Sequence, residues 1–531
     1  MNAKENRNPL LSAVCWFWVT AAITLLAIFW EPLFSGLFIW GPDSSSFGHI
    51  QIRDSLPASY LGWWRNQSGL GTGFLARPIL PYNLLTLLMP PLIIKPGICV
   101  AAVLGSMLAG IYWFRGCGVK GWPVYVASLA LGLTAHTFTL VAAGHDGKIQ
   151  EWPFCILLLA AVARALTGER SWFHFALAGY AAGVAFALQP DVALLFSFLA
   201  AAYGLFLFLR HWPRESNQPT GIRPTPTASP PPAPPAPQGL LKPRLRYVGR
   251  TLVGSLLAAA LLASVSVSSI MFALNVVLPN RAALASATGT TADTDKSKWE
   301  FATNWSLPPE EILEFVAPCI YGIQTADDRL PFETSRERVP YWGKLGRTLG
   351  WEQHHQGLMN LRQHTVYLGV IPIVFALYAV VWALRRKRQV SEACPASRGV
   401  RCQEEAGGSP RTGMKNTGQP NGSGLTTDHW SLNSPSAYRR SDIFFWAGAA
   451  LIAILLALGR NFPLYRLFYM LPYAANVRAP VKLLHLAEVS VCILLAFGLE
   501  AFLAGAILKK GPAAVPGPKK SKKPPAPRPT A

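Results

Sequence analysis

The residues able to do chemistry in this chain sit in short polar segments between long apolar runs. Asp43 stands in GPDSSS (41–46), two residues after Gly41 and just beyond the first run, in a turn-prone setting. A carboxylate at the lip of a membrane cavity suits a general base, because low-dielectric surroundings lift its pKa toward a useful value. The plainer reading is an Asp that ends a span. His145, Asp146 and Lys148 crowd into AAGHDGKIQEW (142–152). A base, an acid and a cation within four residues between apolar runs are costly unless used or solvated. Asp146 and His145 suit either a divalent cation or the orientation of a substrate, and Lys148 suits a phosphate. Gln189 and Asp191 flank Pro190 in ALQPDVALL, a break between two further runs that reads as a structural turn or as a pair of substrate contacts. Arg478 and Lys482, in YAANVRAPVKLLHL (473–486), put two cations ahead of the last run. There Arg offers a lipid phosphate a bidentate fork, with interfacial anchoring as the alternative. Arg460 and Arg466 lie in the same loop.

Apolar runs must position these groups. Ten of them reach or approach the roughly 20 residues that a bilayer core of about 30 Å requires. They are 12–30, 98–114, 123–143, 152–166, 173–188, 191–209, 251–278, 366–384, 443–459 and 483–508. The first follows Lys4 and Arg7 and ends at Phe29, Trp30 and Glu31 with no small-residue cleavage site, which reads as a retained signal anchor. Residues 81–94 are apolar but short and broken by Pro90 and Pro91, which predicts a re-entrant or interfacial helix. The expected fold is an all-α polytopic membrane protein with about ten transmembrane helices and long outer loops.

Composition agrees. Of 531 residues 51% are hydrophobic and 14% charged, and the mean hydropathy is +0.28. Soluble domains carry about 25% charged residues, so a soluble enzyme is excluded, as is a chain disordered for most of its length. Eight cysteines are too sparse for a disulfide scaffold. The net charge of +21 is concentrated in residues 210–250, 385–442 and 509–531, which carry +6, +5 and +7, whereas residues 279–365 carry −2. Lys and Arg remain cytoplasmic as loops insert. The excess therefore orients the chain, with both termini cytoplasmic, and is no footprint of a nucleic-acid partner.

The organisation follows. Residues 1–209 form an N-terminal transmembrane region with outer loops 41–80 and 144–152, and 210–250 a Pro-rich cytoplasmic linker. Residues 251–384 flank the outer loop 279–365, and 385–442 form a flexible cytoplasmic linker. Residues 443–508 hold the last helices, and 509–531 a basic disordered tail near anionic headgroups. No phosphate-binding glycine loop, zinc-ligand spacing or Gly-x-Ser-x-Gly elbow is present, which lowers the prior for ATP hydrolysis and serine hydrolysis. In the long outer loop, Pro308-Pro309-Glu310-Glu311 predicts a helix start with acids in its first turn. Tyr341–Gly346 (YWGKLG) adds aromatics, and the adjacent His354 and His355 point apart, against a paired metal site.

The segments GPDSS (41–45), AGHDGKI (143–149), LQPD (188–191), FATNWSLPPEE (301–311), YWGKLG (341–346) and VRAPVKLL (477–484) together resemble the YfhO-like bacterial membrane proteins, a branch of the GT-C-type glycosyltransferase superfamily. The resemblance implies a multi-pass protein of the bacterial cytoplasmic membrane. It implies inverting transfer of a sugar from a polyprenyl-phosphate donor to an envelope glycopolymer or lipid acceptor on the outer face. By position Asp43 and Asp146 match the two acidic catalytic positions. His145 and Lys148 belong to the GH-x-x-K feature, and Arg478 matches a phosphate ligand. Gln189, Asp191 and Lys482 complete the candidate substrate contacts. Asp43 departs from the paired acidic motif, which leaves a divalent-cation cofactor open. A lipid-linked sugar flippase or secondary transporter, or a non-catalytic envelope assembly factor, are the alternatives.

Overall fold

The computed structural model describes residues 9–36, 39, 50, 53–57, 63–65, 72–74, 80–167, 170–213, 241–272, 295–322, 341–360, 365–392, 435–471, 474 and 477–509. Helix α1 (Pro9–Phe34) is followed by a two-stranded antiparallel hairpin, β1 (Trp63–Arg65) and β2 (Thr72–Phe74), with Trp64 opposite Gly73. Then come α2 (Pro81–Leu88), α3 (Ile94–Gly116), α4 (Trp122–Gly132), α5 (Ala135–Ala143), α6 (Asp146–Thr167), α7 (Ser171–Leu188) and α8 (Pro190–Arg210). Beyond the first linker lie α9 (Leu241–Phe272), α10 (Asp295–Ala302) and the short α11 (Trp351–His354). The last elements are α12 (Val370–Glu392), α13 (Pro435–Ala457), α14 (Leu464–Tyr469) and α15 (Leu484–Lys509).

Among the described residues eight helices are long and apolar enough to cross a membrane: α1, α3, α6, α7, α8, α9, α13 and α15, within slightly different bounds. Two shorter apolar helices, α4 and the first part of α12, fall in the two remaining expected runs. The bundle is sorted by burial. Helices α6 and α15 are buried along most of their length, and α15 presents no water-exposed face between Leu484 and Phe497. Helix α9 packs on α7 and turns Leu252, Val253 and Leu256 outward. Trp16, Ile23 and Trp30 of α1 and Ile371 and Leu377 of α12 are likewise exposed. Apolar surface of this extent is foreign to a water-soluble monomer; it is the surface of a multi-pass membrane protein.

Four local features refine or revise these expectations. The run 123–143 is two helices, because the chain turns extended at Thr134 after Leu133 ends α4. A break inside an apolar bundle frees backbone carbonyls that must find donors. The indole Nε1 of Trp152 supplies one, donating to the Leu131 carbonyl at 3.1 Å. Residues 81–94 form α2, a kink at Met89–Pro90 and a 3-10 turn (Pro91–Ile93) that runs directly into α3. Finally, Pro309–Phe315 is a 3-10 helix, and the β1–β2 hairpin is an exception to the all-α expectation.

Close helix packing rests on small residues. A Cβ placed on Gly179 of α7 would lie 2.2 Å from the Ala258 carbonyl oxygen of α9, whereas one on Gly448 of α13 would meet nothing within 4 Å. We expect Gly179→Ala to destabilise the folded protein by about 1–3 kcal/mol, the cost of overpacking, and Gly448→Ala to leave it unchanged or slightly stabilised. Thermal unfolding of both variants in the same detergent checks this.

Candidate functional site

Helices α3, α6, α8 and α15 all begin at one end of the bundle, and their first turns bring charge together. Helix α5 ends at Gly144, whose φ of +85° is the left-handed cap that glycine adopts without strain. The amides of Gly144 and His145 close on the carbonyls of Val141 and Leu140 at 3.0 and 2.9 Å. The chain therefore reverses within two residues, and Asp146 opens α6, where a carboxylate is favoured by the helix dipole. Gly147 follows because a Cβ there would lie 3.2 Å from the Leu188 carbonyl oxygen and 3.5 Å from Gln189 Oε1. The α7–α8 corner is thus seated on the first turn of α6.

The central contact is an ion pair: Lys95 Nζ of α3 lies 3.2 Å from Asp146 Oδ1, with the two side chains 1% and 8% exposed. Two residues on, still in the first turn of α6, Lys148 Nζ is 3.3 Å from His145 Nδ1. Glu151, one turn deeper, is 1% exposed, and its Oε2 makes no hydrogen bond among the described residues. The charges acting on it are Asp191, Lys148 and Lys482. Asp191 opens α8; its Oδ1 accepts the Val192 amide at 2.8 Å, and its Oδ2 accepts a hydrogen bond from Lys482 Nζ. Lys482 belongs to a 3-10 turn (Pro480–Leu483) leading into α15. There His485 Nδ1 and Glu488 Oε2 lie 3.5 Å apart, both buried, with His485 against the Trp152 ring. Three lysines and four carboxylates (Asp146, Glu151, Asp191 and Glu488) are thereby gathered where four helix N-termini, each worth roughly half a positive charge, converge.

Asp146, His145, Lys148, Asp191 and Lys482 are thus brought together. Gln189 is close by, but as the cap between α7 and α8: its amide bonds to the Ala185 carbonyl and its carbonyl accepts the Ala193 amide. Arg478 is exposed, with its guanidinium 4.7 Å from the Trp305 ring centroid and 5.5 Å from that of Phe301. Asp43 lies outside the described residues. The residues proposed for a divalent cation have ammonium neighbours instead, Lys95 on Asp146 and Lys148 on His145, a setting that repels a cation and suits an anion. No group of three His, Cys, Asp or Glu side chains fit for a metal occurs among the described residues.

Sequence reasoning missed Lys95, Glu151, His485 and Glu488. Lys95 is the one charge in PPLIIKPGICV, Glu151 follows Lys148 by three residues, and His485 and Glu488 share that spacing in LHLAEV. A charge inside an apolar run was the available signal.

A folded cap covers this end. Glu311 is fully buried and organises it, accepting from Tyr341 Oη at 2.7 Å and from the Lys344 and Leu345 amides at 2.7 and 3.2 Å. Glu314 accepts from Thr365 Oγ1 at 3.0 Å, and the Thr365 amide donates to Thr139 Oγ1 of α5 at 3.0 Å. The cap is also pinned to the bundle by the Leu307 amide on the Ala457 carbonyl and the Val481 amide on the Trp305 carbonyl, at 2.9 and 3.2 Å. At its surface the hydrogen bond from Lys344 holds the Glu310 carboxyl below the usual carboxylate range and raises the Lys344 ammonium above its own. Deeper in the bundle, Leu158, Phe175, Ala200 and Leu262 help line an apolar cavity of about 510 Å³ among α6, α7, α8 and α9.

Comparison with protein-family models, curated proteins and solved structures finds no match to this chain.

Removing one member of a buried ion pair strands the other, at a cost of about 3–5 kcal/mol. We expect Lys95→Met to be destabilised by that order and the double variant Lys95→Met/Asp146→Leu to recover most of the loss. A double-mutant cycle of thermal unfolding in detergent measures both.

Proposed function

We propose that this protein is a membrane glycosyltransferase that moves a sugar from a polyprenyl-phosphate donor to a cell-envelope acceptor on the extracytoplasmic face of the bacterial cytoplasmic membrane. The observation that carries this reading is the meeting of Lys95, Lys148 and Lys482 with four helix N-termini at one end of an apolar bundle. Helix starts and lysines are what a phosphate seeks. The apolar cavity beside α6 offers room for part of a lipid chain. With ten spans and both termini in the cytoplasm, this end and its cap face outward, and the three basic segments stay inside.

In the transfer, the acceptor hydroxyl oxygen forms a bond to the anomeric carbon as the bond from that carbon to the phosphate oxygen breaks. The phosphate departs with the electron pair, and the acceptor proton passes to a carboxylate. Asp43 is our assignment for that base. Asp146, fixed by Lys95, orients the site, while Lys148 and Lys482 offset the charge developing on the leaving phosphate. The cap keeps water from the activated sugar. A lipid-linked sugar flippase is the second reading, favoured by Glu151 and Glu488, which lie buried within the first two turns of apolar helices.

The test is release of polyprenyl phosphate by the full chain in lipid nanodiscs, supplied with a panel of polyprenyl-phosphate sugars and an envelope-polymer extract. Asp43→Asn is expected to lower turnover by at least about 100-fold, the lower end of general-base contributions. Lys482→Met is expected to lower turnover as well, with little change in KM for the donor, because the charge it offsets develops in the transition state. Movement of a labelled lipid-linked sugar across proteoliposomes without release would overturn the transferase in favour of the flippase.

A further inference from the structure

A second cavity, of about 360 Å³, lies in the cap and is built by three stretches distant in sequence: 306–310, 344–353 and 460–461. It is apart from the lysine–carboxylate cluster and is lined differently. Two ion pairs form part of its wall, Lys344 with Glu310 at 2.7 Å and Arg347 with Glu352 at 2.6 Å. Each satisfies itself, so neither leaves a net charge for a ligand. Arg460 is the fifth charged residue of the wall. Its Nη2 donates to the Thr303 carbonyl at 3.1 Å and its amide to Ser306 Oγ at 3.0 Å; the rest of its guanidinium makes no hydrogen bond among the described residues. Glu300 is the one carboxylate whose charge acts on it, and it forms no ion pair within 4.0 Å there. The cavity therefore carries one cation in excess. Trp351 adds an aromatic surface, with Arg347 5.4 Å from its centroid.

Mixed polar donors and acceptors, an aromatic surface and one surplus guanidinium are the recognition chemistry of a hydroxyl-rich ring bearing an anionic group. Ligand pockets run from about 300 to 1,000 Å³, so this volume holds a single ring and not a polymer segment. We propose that the cap cavity binds an anionic monosaccharide, its carboxylate or phosphate on Arg460 and its ring against Trp351. The assignment goes beyond the transferase reading and stands if that reading falls, since it concerns binding alone.

The experiment is titration calorimetry of the full chain in nanodiscs with galacturonate, glucose 6-phosphate and the neutral galactose. Saturable binding of galacturonate or of glucose 6-phosphate, at least about tenfold tighter than galactose, is expected from one hydrogen-bonded charge. Which of the two binds identifies carboxylate or phosphate as the anion. Arg460→Gln should bring the anionic sugar down to the affinity of galactose, while Arg460→Lys keeps the preference. Trp351→Ala should weaken every sugar that binds. No binding of either anionic sugar, or equal affinity for galactose in the wild type, overturns the proposal without recourse to any variant. A preference retained in an Arg460→Gln protein with wild-type melting temperature overturns it as well.

Discussion

An ammonium taken out of water needs a carboxylate within ion-pair range, and in this bundle Asp146 meets Lys95 at 3.2 Å. Much of the local architecture is what that contact requires. Asp146 can reach α3 only if α6 begins at that residue, so the chain must leave α5 in a reversal as tight as the one Gly144 makes. The first turn of α6 must then lie against the α7–α8 corner, and Gly147 removes the side chain that would hold them apart. Once α6 starts there, helical spacing sends Lys148 and Glu151 toward the start of α8 and the turn before α15, where Asp191 and Lys482 pair. One ion pair thus sets the register of the helix that carries the rest of the cluster.

The same rule operates in the cap. Glu311 has no exposed surface, yet it sits between two segments about thirty residues apart in the chain and accepts from both the Tyr341 hydroxyl and backbone amides. A carboxylate satisfied in this way is a strut. It holds the 341–346 stretch against the 309–315 turn, and thereby shapes the wall on which Lys344 and Arg347 stand. Ser306 couples this layer to the loop after α13, donating to the Thr303 carbonyl and accepting the Arg460 amide. Cap and bundle therefore share hydrogen bonds and are not simply stacked.

What the sequence made legible follows from what a bilayer demands. Long apolar stretches are forced by membrane thickness, so the helices were readable, as was the placement of His145, Asp146, Lys148, Asp191 and Lys482 at helix ends. Their pairing was not, because Asp191 and Lys482 lie 291 residues apart and nothing local to either names the other. Lys95 was hidden by its apolar neighbours. Glu311 was read only as a first-turn acid, since a first-turn Glu is ordinary and burial depends on Tyr341 arriving from elsewhere. Arg478 was read as a phosphate ligand from its charge and position; the Trp305 and Phe301 rings beside it are brought in by tertiary packing and were not legible. The break at Leu133 lacked a proline to announce it, and it is satisfied by an indole on α6.

Charge is divided in this molecule between two tasks with different ranges. The excess of positive residues lies in 210–250, 385–442 and 509–531, far in sequence from the cluster and facing the cytoplasm in the proposed topology. The cluster itself interleaves its lysines with carboxylates, so at distances beyond a Debye length, about 8 Å at physiological salt, the opposite charges largely offset one another. Only at contact do the four helix N-termini tip the balance toward an anion. A soluble anionic substrate would gain from long-range steering, which this arrangement does not provide. A substrate confined to the membrane plane has no need of it, because its lipid chain already delivers the headgroup to the depth of the cluster. Short-range attraction with little long-range field is therefore the electrostatic form expected for a lipid-linked anion, and it is the form taken by Lys95, Lys148 and Lys482 with their carboxylate partners.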